Sequence, residues 1–164
     1  MRLRSHILSA SQPDTYTLPA LTLMPTAVDS WKPSEERVSK VCTFDQASVC
    51  LLDDDLSMLK ALQRLLKSDG FHVERFSDPA AFLSAIGDSP CRVAILDVWM
   101  PDMNGLEVQA ALRKDSPETR IIFISGRDDP SVRQTALEAG AFGFLSKPFD
   151  DEALLQLVRK AVKK

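Results

Sequence analysis

From about residue 47 the chain switches regularly between two hydrophobic periods. SVCLL (48–52) is a short unbroken apolar run, the pattern of a strand covered on both faces. LSMLKALQRLLKSDG (56–70) then takes helical spacing, with Leu59, Leu62 and Leu66 on one face and Gly70 as the stop. FHVERF (71–76) alternates as a strand. DPAAFLSAIG (78–87) opens with Asp78 as cap and Pro79 at the first helical position, and closes at Gly87. CRVAIL (91–96) is a second buried strand, GLEVQAALRK (105–114) an amphipathic helix, and RIIFIS (120–125) the most strand-like run of all. PSVRQTALEAG (130–140) runs as a helix from Pro to Gly, and AFGFLS (141–146) is a short strand. DDEALLQLVRKAVKK (150–164) places acids first and bases last, as the helix dipole favours.

Five strands alternate strictly with five helices. Parallel strands need crossover connections, so this order predicts an α/β fold with a parallel sheet and helices on both faces. In such sheets the functional crevice lies beyond the carboxyl ends of the strands.

Residues 1–45 differ. They carry four of the ten prolines (Pro13, Pro19, Pro25, Pro33), lack sustained periodicity and balance their charges. They read as a flexible N-terminal extension to a domain at 46–164. KPSEERVSKV is a candidate short helix capped by Ser34, and Met24 is a candidate later start. Composition adds exclusions. A net charge of −3 gives no electrostatic case for nucleic acid or an anionic membrane as main partner. No apolar run reaches the ~18 residues of a spanning helix, and the N-terminus lacks the apolar core of a secretory signal. Cys42, Cys50 and Cys91 are an odd number without metal spacing; Cys50 and Cys91, in or beside apolar strand-like runs, read as small buried hydrophobes in a reducing compartment, and a cytoplasmic protein is expected. Two distant histidines, His6 and His72, leave little for a zinc site or a Ser-His triad.

The strand ends carry the chemistry. Asp53 and Asp54 follow the first strand, Asp97 the third, Ser125 and Gly126 the fourth, and Lys147 the fifth. Adjacent carboxylates are unfavourable unless something positive holds them. Mg²⁺ suits such a set, since it takes a few carboxylates and keeps several waters. A carboxylate is also a nucleophile toward a phosphoryl group, and phosphoryl transfer asks mainly for alignment and charge stabilisation. Lys147 can pair with Asp97 at rest and with a phosphoryl oxygen later. Ser125 can donate to another oxygen, and Gly126 leaves space for the group to enter.

Four motifs, LLDDD, LDVWMPDMNG, FISG and GAFGFLSKPF, occur in this order across residues 47–164. Together they resemble the bacterial response-regulator receiver domain. The resemblance implies a flavodoxin-like three-layer sandwich with sheet order 2-1-3-4-5. It implies Asp97 as phosphoacceptor, and Asp53, Asp54, Asp97 and the backbone carbonyl of Trp99 as the Mg²⁺ set, with Asp53 reaching the ion directly or through water. It implies Ser125 and Lys147 as phosphoryl-binding residues, Phe144 as the aromatic whose rotamer follows Ser125, and a cis bond before Pro148. Asp55 is left as cap of the first helix.

Some positions depart from the commonest pattern. Ser125 stands for Thr, which keeps the hydroxyl with a looser rotamer. Phe144 stands for Tyr, so its switching would rest on ring packing alone. Trp99 and Arg127 flank the phosphoryl position. Trp99 is expected to hinder attack by water and Arg127 to contact phosphoryl oxygens, both lengthening the phosphoryl lifetime.

Each feature alone has an ordinary reading. Acids after a strand complement a helix dipole, MPDMNG is rich in turn formers, and a lysine is usually a solvated charge. Their joint placement at the ends of one sheet favours the functional reading. The function expected is a phosphorylation-activated switch, not an enzyme, loaded by a sensor histidine kinase or histidine phosphotransfer protein. It would signal to a downstream protein, or to a second copy as a phosphorylation-dependent homodimer, through the face of the fourth helix, fifth strand and fifth helix. The alternatives are a receiver fragment of a DNA-binding regulator and a phosphorylation-independent interaction module. A Mg²⁺-dependent phosphohydrolase would want a second acid two residues after its nucleophile, where this chain has Trp99.

Overall fold

A computed structural model describes residues 48–163. The expected extension over 1–45, its candidate helix at Ser34 and the alternative start at Met24 lie outside the described residues. The elements run β1 (Ser48–Leu52), α1 (Leu56–Ser68), β2 (His72–Phe76), α2 (Pro79–Asp88), β3 (Val93–Asp97), α3 (Gly105–Asp115), β4 (Arg120–Ser125), α4 (Pro130–Glu138), β5 (Gly143–Ser146) and α5 (Asp151–Val162). All strand pairs are parallel and the sheet order is β2-β1-β3-β4-β5.

The inner strands β1, β3 and β4 are mainly apolar because both their faces are covered, while the edge strand β2 (HVERF) alternates. Val49, Leu51, Ile95 and Ile124 pack with Leu59, Leu62 and Leu66 of α1 and Leu154 and Val158 of α5. The alternate residues Cys50, Leu52, Leu96 and Phe123 pack with Phe82 and Ile86 of α2, Val108 and Leu112 of α3, and Ala136 of α4. Slipping one strand by a residue would exchange these two sets, so the register is strongly specified.

Short polar side chains start the helices. Asp55, Asp78, Asp129 and Asp150 each accept hydrogen bonds from two backbone N–H groups of the following turn. Asn104 caps α3 in a reciprocal arrangement with Glu107. Gly70, at φ 88°, ends α1 with its N–H donating to Lys67 and that of Phe71 to Leu66. Gly87 does not end α2 as expected: the helix continues to Asp88, and Ser89 forms the cap by donating to Ala85.

Pairing fixes where the strand ends fall. Leu52 lies opposite both Phe76 and Leu96, Asp97 opposite Ile124, and Ser125 opposite Ser146. The residues that end β1, β3, β4 and β5 therefore reach one edge together. At that edge Gly105 packs tightly on the backbone. A Cβ there would collide with the Asp97 carbonyl and come within 2.9 Å of the Phe123 ring.

Candidate functional site

Three charged side chains meet at the carboxyl edge. Asp53 follows β1, Asp97 is the last residue of β3, and Lys147 follows β5. The Lys147 ammonium donates to Asp53 Oδ2 at 2.9 Å and to Asp97 Oδ1 at 2.8 Å. Both carboxylates are almost fully buried, while the lysine side chain keeps 20% of its exposure. The remaining oxygens accept backbone N–H groups, Asp53 Oδ1 from Asp55 at 2.8 Å and Asp97 Oδ2 from Trp99 at 2.7 Å. The Lys147–Pro148 bond is cis, and the Lys147 N–H donates to the Ser125 carbonyl.

One cation between two buried anions leaves a net negative charge. Burial raises the Asp97 pKa, the Lys147 hydrogen bond and charge pull it down, and the Asp53 charge adds to the rise, so the net shift is upward. For Lys147, burial opposes its charge, but the hydrogen bonds and charges of Asp97 and Asp53 outweigh it and raise its pKa.

The other expected site residues take distinct positions. Asp54 is exposed and has no hydrogen-bond or ion-pair partner among the described residues. Ser125 is fully buried, yet its hydroxyl turns into its own loop. It donates to the Arg127 carbonyl at 2.8 Å and accepts the Arg127 N–H at 3.2 Å. Phe144 is buried beside Phe123, with ring centroids 6.2 Å apart, and the Arg133 guanidinium lies 5.6 Å from its centroid. Gly126 faces open space, and a Cβ there would meet nothing within 4 Å. Arg127 stacks its guanidinium 4.7 Å from the centroid of the Trp99 ring.

Among the described residues no three acidic, histidine or cysteine side chains are grouped closely enough to cage a metal ion. The expected convergence of Asp53, Asp54 and Asp97 holds for two of them, which close on Lys147. The donor set still fits Mg²⁺, an ion that takes one or two carboxylates and keeps its waters. Asp54 offers an exposed carboxylate, and Asp97 accepts only one hydrogen bond on each oxygen.

Several contacts were not anticipated from the sequence. Asp53 shares Lys147 with Asp97, and its place directly after a buried strand was the available signal. The stack of Arg127 on Trp99 and the contact of Arg133 with Phe144 join separate elements, and neither has a local signature.

The fold and this cluster define a class, a doubly wound domain with an acidic crevice at its strand ends. Residues 49–159 match the family described as the response regulator receiver domain, and the chain belongs to that family. It is thus the receiver domain of a two-component response regulator. Over 120 residues it is 46% identical to the response regulator protein TodT of Pseudomonas putida, covering 73% of this chain and 53% of that protein. Over 115 residues it is 32% identical to the transcriptional regulatory protein FixJ of Bradyrhizobium diazoefficiens, covering 70% and 56%. The solved structure of the chemotaxis protein CheY4 of Vibrio cholerae superposes with a TM-score of 0.66 at 31% identity, over 71% of this chain and 98% of that one. The chain spans about half the length of the curated relatives it matches.

Proposed function

We propose that this domain is a switch that accepts a phosphoryl group on Asp97. The observation that carries the reading is the shared ammonium. Lys147 holds two buried carboxylates at once, which leaves a net anionic cluster around Asp97 at the carboxyl edge of the sheet. An Asp97 oxygen attacks the phosphorus and forms an acyl phosphate. The P–N bond of a donor phosphohistidine breaks, and the imidazole nitrogen keeps the electron pair and takes a proton from water. With acetyl phosphate the P–O bond breaks instead and acetate leaves.

Asp54, Asp97 and the Trp99 carbonyl would hold Mg²⁺, with Asp53 directly or through water. The ion would offset the carboxylate charge and screen the incoming phosphoryl oxygens. Lys147 is already on Asp97 and transfers its hydrogen bond to a phosphoryl oxygen. Ser125 must give up its bond to the Arg127 carbonyl to reach another. Phe144 follows Ser125, and the α4-β5-α5 face changes with it. That face already exposes Leu137 and Phe142.

The donor in this reading is a sensor histidine kinase or a histidine phosphotransfer protein. The readers are a downstream protein or a second copy, and the setting is cytoplasmic. No helix among the described residues is long and apolar enough to cross a membrane. A second reading places the domain within a longer DNA-binding regulator. Its support is the name of the relative FixJ, a transcriptional regulatory protein, and the half-length coverage.

The test is intact mass after incubation with Mg²⁺ and acetyl phosphate. The parent is expected to gain one phosphoryl group, lost in EDTA and lost in Asp97→Asn. Folded parent protein that gains nothing with several donors would favour a phosphorylation-independent interaction module.

A further inference from the structure

The Ser125 hydroxyl is engaged on both its donor and acceptor sides by the backbone of its own loop, at Arg127. Its proton is committed to the Arg127 carbonyl, and its oxygen accepts the Arg127 N–H. The Arg127 side chain is committed in turn, with its guanidinium 4.7 Å from the Trp99 ring centroid. Trp99 is anchored to the acceptor itself, since its N–H donates to Asp97 Oδ2 at 2.7 Å. The contacts close a loop from Asp97 through Trp99 and Arg127 to Ser125. They tie the segment after β3 to the segment after β4 across the mouth of the site.

We propose that Arg127 is a positioning residue, which latches the β4–α4 loop to Trp99 and holds the Ser125 hydroxyl in its resting, loop-bound position. The proposal rests on Asp97 being the phosphoacceptor. It gives Arg127 a role opposite to that of a phosphoryl ligand. A ligand would assist loading, whereas a latch must be undone before Ser125 can reach a phosphoryl oxygen. The competent conformer is then a minority of the resting population, and apparent affinity for the phosphodonor falls by that fraction. Trp99 and Arg127 are both solvent-exposed, so the stack carries the modest free energy of an exposed cation–π contact, a factor of about two to five in an equilibrium. Such a latch sets a threshold without blocking the switch.

The test uses the full chain. Trp31→Phe leaves Trp99 as the sole tryptophan, since the chain has two. Arg127→Ala is expected to shift Trp99 emission in the resting protein toward the value that the parent reaches after Mg²⁺ and acetyl phosphate. By intact mass, Arg127→Ala and Trp99→Ala should each load about two- to fivefold faster. The double variant should load no faster than the faster single, because both remove one contact. Arg127→Lys, which keeps the charge and loses the planar stack, should fall between parent and Arg127→Ala.

Slower loading in Arg127→Ala would overturn the latch and assign the guanidinium to the phosphoryl group. Unchanged loading, or additive effects in the double variant, would also overturn it. In each of these cases the parent still loads, so Asp97 as acceptor stands. A parent that never loads overturns both.

Discussion

The two edges of the sheet use polar residues in opposite ways. At the amino edge, side chains close on backbone carbonyls. Thr119 donates to Cys91 at 2.7 Å, and Arg92 donates to Val162 at 3.3 Å. Arg120 reaches Lys160, Ala161 and Lys163 at the end of α5. These arginines satisfy the carbonyls that every helix C-terminus leaves open and complement its negative dipole. At the carboxyl edge, charged side chains face one another instead. Two buried carboxylates share one ammonium, a third carboxylate is exposed nearby, and a buried hydroxyl is held by its own loop. Thr119, Arg92 and Arg120 have found the partners that folding can supply, although the buried Ser116 hydroxyl at the same edge has no hydrogen-bond partner among the described residues. Groups at the carboxyl edge retain unmet demand for a cation and for hydrogen-bond exchange. A ligand can use that demand.

The largest test of this contrast is removal of the shared ammonium. Lys147→Ala strands Asp53 and Asp97 side by side in a buried site, and should lower unfolding free energy by roughly 3 kcal/mol at neutral pH. Adding Asp97→Asn should recover most of that loss, since the two residues are directly coupled. Urea titration reads both. If Lys147→Ala is neutral, the carboxyl edge holds no such conflict.

The pH profile sharpens the same point. Asp97 has a raised folded pKa, so the folded state keeps its proton longer than the unfolded chain does. Stability should therefore fall as pH rises from 3.8 through the higher folded value, and Asp97→Asn should flatten that fall. Lys147 has its folded pKa raised above 10.5, so its contribution is complete below that pH and is lost as pH rises through the folded value. Urea midpoints across pH for parent and variants check both windows.

Smaller effects are expected from groups with one structural partner set. Arg120→Ala frees the carbonyls of Lys160 and Ala161 in α5 and of Lys163 just beyond it, and removes the contact with the Phe142 ring. It should cost about 1–2 kcal/mol by urea titration and leave phosphoryl uptake at the parent rate. A change in uptake would mean that the two edges are coupled. Asp55→Ala removes the cap of α1 and should cost about 1 kcal/mol, within the ordinary range for a helix cap.

Much of this was legible in the chain because each feature is local. The bounds of β1 and β4, the buried face Leu59–Leu62–Leu66, and the caps at Asp55 and Asp78 all follow from residues within a few positions of one another. The convergence of Asp97, Ser125 and Lys147 on one edge follows from strict alternation, which makes every strand end at the same side. Other features depend on distances that no local pattern encodes. Gly87 looked like a stop, yet α2 takes one more residue. Asp53 and Asp54 are chemically identical neighbours, and only the pleat after β1 decides that the first is buried on Lys147 and the second is exposed. The stack of Arg127 on Trp99 joins two loops from different strands. The bidentate pairing of Arg159 with Asp69 joins α5 to the end of α1.

The central claim concerns one atom group, the Asp97 carboxylate, and chemistry can read it directly. Borohydride reduces an acyl phosphate to the alcohol, so a phosphorylated aspartate becomes homoserine. After loading with Mg²⁺ and acetyl phosphate, reduction and peptide mass mapping should find homoserine at position 97 and at no other aspartate. Homoserine at Asp53 or Asp54, or its absence from protein that has gained phosphoryl mass, would contradict the account.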